Sequence, residues 1–277
     1  MGGAINTHSQ NGWLAEYGPN TILETNTQIK TLITELGLDG EKLYPNSVSS
    51  NRFIVKNGKL LPLPISPLAF FSSSLFSTQS KFNIIREPFI PKWQNDYEES
   101  LSEFVLRRLG QNFLDYAVNP FVAGVFAGDP DRLSVKHALS KLYKLEQNYG
   151  SLIKGQIKKA KLPAEPDDIS KNRAKMFSFK NGLKVLPETL ASKLKTPIEF
   201  NTTVEQVQKL NEGWEITYNQ QNEIKTQKAD NLIYAGTGHQ LADCKIISDK
   251  DVDLSFGNEI EYPSVAVLTL GFHKNQI

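Results

Sequence analysis

The residues best placed to do chemistry are few. Arg52 stands beside Phe53. A guanidinium can hold a carboxylate through two parallel hydrogen bonds, which an ammonium cannot do. The same arginine also reads as a surface cation next to a strand. Gly124 and Gly128 bracket Val125, Phe126 and Ala127, and glycine lets a backbone come close to a neighbour or a ligand. Gly236-Thr237-Gly238 after Leu232-Ile233-Tyr234 is the nearest approach to a phosphate-cradling G-x-G-x-x-G turn. Its third glycine position is Leu241, and no strand–turn–helix unit surrounds it, so it is not read as a dinucleotide motif. The four histidines are scattered, Cys-x-x-Cys and His-Glu-x-x-His are missing, and Cys244 is the single cysteine. No metal site and no disulfide within the chain are expected. No nucleophile or acid–base dyad is picked out, so no catalytic side chain is named.

The elements that must position these residues follow from spacing. Gly12 to Tyr17 alternates like a short strand, and Gly18-Pro19-Asn20 ends it as a turn. Ile22, Ile29, Leu32, Ile33 and Leu36 predict an amphipathic helix stopped by Gly37. Asn57-Gly58 between 52–55 and 59–61 predicts a hairpin. Leu101, Phe104, Val105 and Leu109 predict one buried helix face before Gly110. The stretch 111–121 reads as helix, interrupted at Pro120. Around the glycines, the pattern predicts a helix, a turn over Asp129-Pro130-Asp131 and a second helix. Ser134 is its N-cap and Gly150 its C-terminal stop. Beyond Ile198, 204–210 and 214–218 alternate and flank turns, which predicts a β-meander. Leu232 to Tyr234 and Val265 to Phe272 read as further strands.

Composition narrows the function. The 277 residues are 39% hydrophobic and 22% charged, with a formal net charge of +1. This describes a soluble globular chain of one large or two modest domains, without the charge bias that nucleic-acid binding would show. As the chain stands, no signal peptide is read at its start. The most apolar run, 60–76, is broken by Pro62, Pro64 and Pro67 and is too short to span a membrane. Leu68 to Phe71 and Leu75-Phe76 read as core, as the wall of an apolar channel, or as a surface dipping into a membrane. Lys154, Lys158, Lys159 and Lys161, ahead of Pro163 and Pro166, read as a solvated helix face or as a contact for anionic headgroups.

Several of these stretches together resemble a known family. GVFAGDPDRLSVKHA followed by KLYKLEQNYGS, with GWLAEYGPNT, NRFIVKNGKLLPLP, EESLSEFVLRRLG and FSFKNGLKVLPETLASKL, resembles the oxygen-dependent, FAD-containing protoporphyrinogen oxidases of haem biosynthesis. These belong to the flavin amine oxidase-like superfamily. The resemblance implies an α/β (mixed α+β) fold: an incomplete FAD-binding domain, an inserted helical substrate or membrane lobe, and part of a mixed-sheet substrate domain. The expected segments are 1–46 and 171–246 for the FAD domain, 47–170 for the lobe and 247–277 for the substrate-domain sheet. Set beside the family, the chain reads as the middle of a longer enzyme, without the first dinucleotide unit or the closing segment. On that reading the isolated chain is expected to purify colourless.

The implied reaction moves hydride from porphyrinogen to FAD, with O2 as final acceptor, and removes six electrons in three rounds. Protoporphyrinogen and coproporphyrinogen, which differ in carboxylate number, both remain open as substrates. A non-catalytic porphyrin-binding or membrane-associating remnant is the reading from another class, and an unstable fragment a third. In the family pattern Arg52 meets a propionate beside Phe53, while Gly124, Val125, Phe126 and Gly128 line the slot. Gly2, Gly3 and Ala4 match the turn near the ribityl chain. Gly18, Pro19, Asn20 and Thr21 match the loop beneath the isoalloxazine, and Val204 the residue at the adenine. Arg107, Arg108 and Arg132 are read as surface or structural. Implied partners are the porphyrinogen, O2, a peripheral membrane surface, a second copy of the chain and another haem-pathway enzyme. The implied location is cytoplasmic, at the inner membrane surface.

Overall fold

Asn11 and Gly12, with φ of 52° and 80°, form a tight turn of the kind that joins twisted antiparallel strands. They close strands β1 (Thr7–Gln10) and β2 (Trp13–Glu16) into a hairpin. In this computed structural model, residues 1–46, 52–161, 174–248 and 251–276 are described. Pro163, Pro166 and the starts of the second and third expected segments lie outside them. The helix expected over 22–36 is shorter. Ile22–Leu23 is a strand, β3, paired to Phe177 and Met176. Helix α1 (Thr27–Glu35) begins only after Asn26, whose side chain accepts from the Ile29 amide at 3.0 Å. Gly37 follows with φ of 74°, as the sequence predicts. After β4 (Lys42–Leu43), the expected Asn57-Gly58 hairpin forms between β5 (Phe53–Lys56) and β6 (Lys59–Pro62).

A helical lobe comes next. Helices α2 (Pro67–Ser72) and α3 (Thr78–Arg86) are each capped by a serine, Ser66 and Ser77. Helix α4 (Leu101–Arg108) starts on a capping box of Ser100 and Glu103. The short α5 (Gln111–Phe113) runs into a π-helical turn, Leu114–Val118, and then α6 (Asn119–Phe126). The interruption expected at Pro120 is therefore a widened turn just before it, not a break. Proline lacks the N–H that would bond back four residues, and its ring crowds that carbonyl. Gly124 sits inside α6, and Ala127 ends the helix in the left-handed region. The second helix is split into α7 (Val135–Ala138) and α8 (Ser140–Tyr149) at Leu139, with Gly150 as the left-handed stop. Ser134 precedes α7, but its hydroxyl donates to Glu98 and does not cap. Helix α9 (Leu152–Lys159) carries three of the four clustered lysines.

The predicted face Leu101, Phe104, Val105 and Leu109 is buried, together with Leu114, Val118, Val122, Val135, Leu145 and Leu152. Leu75 and Phe76 are buried as well, so of their three readings they belong to core. Leu68, by contrast, is 86% exposed.

Strand β7 (Met176–Phe179) lies between β3 and β4. Phe177 and Phe179 pack with Ile33, Leu36, Leu38 and Leu183 in a second core. Helix α10 (Val185–Ser192) follows. The chain divides into two compact units, 1–188 with 265–277, and 189–264.

The second unit contains the predicted meander. Strands β8 (Thr202–Lys209), β9 (Trp214–Gln220) and β10 (Glu223–Ala229) pair antiparallel. Helix α11 (Gly238–Ala242) and strands β11 (Lys245–Ile247) and β12 (Asp251–Val252) complete it, with β11 parallel to β8. Leu232 to Tyr234 is not the buried strand its apolarity suggests: Ile233 is 89% exposed. Val265 to Phe272, in the first unit, is likewise irregular and exposed. An apolar run becomes a strand only where a neighbouring edge takes up its amides and carbonyls, and no such edge pairs with either stretch among the described residues.

Candidate functional site

The two glycine-containing turns predicted near a flavin are adjacent. Gly2 and Gly3 have φ of 93° and 54°, and the Ile5 amide closes the turn onto the Gly2 carbonyl at 2.9 Å. Gly18 lies against Ala4 so closely that a β-carbon on Gly18 would collide with the Ala4 carbonyl oxygen. The Tyr17 amide donates to the Asn6 carbonyl at 2.8 Å. Gly3, in contrast, faces open space, and Pro19, Asn20 and Thr21 are exposed. The pair of turns is thus tight behind and open in front, which fits the approach of a polyol chain or a flat ring.

A network that the sequence did not reveal holds these turns. Thr7, buried at the start of β1, donates to the Glu16 carboxylate at 2.7 Å. The other Glu16 oxygen accepts from the Leu183 amide at 2.7 Å, and the Lys184 amide donates to the Thr7 hydroxyl at 3.1 Å. The β1–β2 hairpin is thereby fixed to the segment leading into α10.

In the lobe, Arg52 is exposed at the start of the β5–β6 hairpin, where its carbonyl accepts from the Leu63 amide at 2.8 Å. Phe53 is 52% exposed and opposite Pro62. Gly124, Val125 and Phe126 occupy the last turn of α6, with the Phe126 ring edge-on to Phe121 at 6.2 Å. Gly124 is exposed, and a β-carbon there would meet nothing within 4 Å. Gly128 lies past the helix end, against Leu133. The hairpin joins the lobe through Lys56. Its ammonium donates to the Leu75 carbonyl at 2.6 Å and sits 4.4 Å from the Tyr116 ring centre.

The lobe also holds a buried charged cluster. Arg108 is fully buried and bonds Glu87 at 2.9 Å, and Glu146 as well. Arg107 bonds Glu99 at 2.7 Å and Glu146 at 2.8 Å. Glu87 also accepts from Ser151 and from the Leu152 and Ile153 amides, which caps α9. Burial pushes the Glu146 carboxyl up, but hydrogen bonds from Arg107 and Arg108 outweigh it and leave the group below its usual range. Of the two readings of Arg108, structural is the one the burial supports.

In the second unit, Val204 lines an apolar cavity of about 610 Å³ with Val207, Ile216, Leu232 and Leu241. Thr202, Thr203, Glu205 and Asp243 also line it. Gly236 to Gly238 leads into a five-residue helix capped by Thr237, not into a phosphate-binding turn. No group of three or more metal-ligating side chains occurs among the described residues.

The model for flavin containing amine oxidoreductases matches residues 1–276. The chain belongs to that family. A protoporphyrinogen oxidase 2, chloroplastic/mitochondrial, of Arabidopsis thaliana is 32% identical over the whole chain and 59% of its own length. A coproporphyrinogen III oxidase of Bacillus subtilis (strain 168) is 27% identical, again over the whole chain and 59% of its length. Putrescine oxidase bound to putrescine superposes with a TM-score of 0.57 at 15% identity, over 88% of this chain and 52% of that one, a likeness of fold. The chain thus spans little more than half the length of the curated relatives it matches. Its mixed α/β architecture agrees with that of these enzymes. No helix among the described residues is long and apolar enough to cross a membrane.

Proposed function

We propose that this chain forms the substrate slot and part of the flavin seat of a porphyrinogen oxidase. The enzyme oxidises protoporphyrinogen IX to protoporphyrin IX with FAD as cofactor and O2 as acceptor. The observation that carries the reading is Gly124. An exposed glycine inside a helix costs roughly 1 kcal/mol relative to alanine, and no neighbour demands it, since a β-carbon would meet nothing within 4 Å. A flat macrocycle lying on the last turn of α6 does demand it. Val125 and Phe126 then give the apolar face, and Arg52 holds a propionate at the rim.

FAD, when bound, supplies the two-electron acceptor. The chain supplies position. Gly2 to Ala4 and Gly18 to Thr21 would offer backbone to a flavin, and Val204 an apolar contact for an adenine. A macrocycle seated in the slot would cover the exposed Val125 and Phe53, and the Arg52 guanidinium would fix which edge of it enters. No side chain is asked to carry a proton. The exposed α2 residues Leu68 and Phe71 are the surface proposed to meet a membrane.

A second reading, oxidation of coproporphyrinogen III, is favoured by the Bacillus relative, which matches over the same extent. Both are tested together. The protein, supplied with FAD, is mixed with each porphyrinogen in air and without oxygen, and porphyrin fluorescence is followed. Saturable, O2-dependent formation above the spontaneous rate is expected, fastest with protoporphyrinogen. Faster turnover of coproporphyrinogen selects the second reading. Tight porphyrin binding without turnover supports the non-catalytic one.

A further inference from the structure

We propose that Lys56 is a positioning residue that sets where Arg52 stands relative to the slot, acting through Tyr116 and the Leu75 carbonyl. The inference rests on the reading of Arg52 as the carboxylate holder. The β5–β6 hairpin is a sheet of its own, paired only within itself among the described residues, so strand pairing does not orient it. Among the described residues, the half-buried Lys56 ammonium ties it to the lobe. Lys56 donates at 2.6 Å to the carbonyl of Leu75, a residue with no exposure, and lies 4.4 Å from the Tyr116 ring centre. Leu75 adjoins Phe76, whose ring stacks on Phe113 at 5.3 Å, so the acceptor is fixed in packed core. A cation held over an aromatic face and hydrogen-bonded to a core carbonyl is a two-point joint.

The position of Tyr116 gives the joint its consequence. It lies in the π turn that runs without a break into α6, and such turns recur at functional sites. From the joint, the chain runs back along β5 to Arg52, the residue just before the strand, about 13 Å away. The helix extends from Tyr116 to Val125, about 14 Å at 1.5 Å per residue. Two arms of similar length, one bearing the guanidinium and one the apolar face, are joined at Lys56 and Tyr116. A change at the joint moves one arm against the other and leaves each arm's own chemistry intact.

The test is a fluorescence titration of the purified protein with protoporphyrin IX and with its dimethyl ester, which lacks the carboxylates. Wild type is expected to prefer the diacid by roughly ten- to a hundredfold, the worth of a charge-assisted hydrogen bond. Arg52→Ala should abolish that preference. Lys56→Met should abolish it too, with ester affinity within about twofold of wild type; Lys56→Arg, which keeps both contacts, should retain it. If Arg52→Ala keeps the preference, the site reading fails and this inference with it. If Arg52→Ala loses it while Lys56→Met keeps it, the inference about Lys56 alone fails. Equal weakening of diacid and ester by Lys56→Met assigns the lysine to general packing and also overturns the inference. Should Lys56→Met fold poorly, Tyr116→Leu carries the test: lost preference with ester affinity intact supports the joint, and unchanged preference contradicts it.

Discussion

At the scale of single residues, the buried ion pairs of the lobe give the sharpest test of stability. Arg108 has no exposure and faces two carboxylates, Glu87 and Glu146. Arg108→Met would take the guanidinium from both, leaving Glu87 with only hydroxyl and amide donors and Glu146 with Arg107, at a cost of about 3–5 kcal/mol, readable as a fall in the urea midpoint. Glu146 also gives the fold an acid dependence. Its folded carboxyl titrates below the ordinary value, so the stability it contributes is complete above about pH 4.3 and is lost as the pH falls through its folded pKa. The melting temperature of wild type should therefore drop over that acid range. Glu146→Gln should melt lower at neutral pH and lose most of this dependence; an unchanged acid profile in the variant would contradict the assignment. None of this was legible in the sequence. Arg107 and Arg108 are neighbours of one type on one helix, and their carboxylates come from up to 39 residues away. Local pattern does not say which guanidinium points inward.

Among the elements, what the sequence made legible was local. Asn57-Gly58 predicts its hairpin because only a few residues accept positive φ at both central positions. The buried face of α4 follows from 3.6-residue spacing. The strands predicted at 232–234 and 265–272 do not form, because strand identity is settled by an edge elsewhere in space. The π turn was legible in place, through Pro120, but not in kind. The flavin turns join both sorts of information: the glycines mark them, while Thr7 and Glu16 fix them through contacts that no motif announces. Gly18→Ala tests that packing. Its β-carbon would strike the Ala4 carbonyl, pushing the two turns apart. Flavin affinity, measured by quenching of free FAD fluorescence, should fall at least about tenfold, a loss of 1.4 kcal/mol or more. Unchanged affinity would remove these turns from the flavin seat.

For the molecule as a whole, two compact units share the proposed work. The first carries the residues proposed for the slot and the paired turns, and the second carries the apolar cavity at Val204. Both lie within the stretch matched by the flavin containing amine oxidoreductase family. On the proposed reading, a flat macrocycle lies on the last turn of α6, in the space that Gly124 leaves open. Gly124→Leu separates that claim from ordinary packing, because the two effects have opposite signs. Nothing in the protein stands within 4 Å of the new β-carbon, and leucine favours helix over glycine by roughly 0.5–1 kcal/mol. The melting temperature should hold or rise. Porphyrin affinity, titrated on the same preparation with protoporphyrin IX, should fall by at least about tenfold. A variant that melts no lower than wild type and still binds protoporphyrin IX with wild-type affinity would contradict the account.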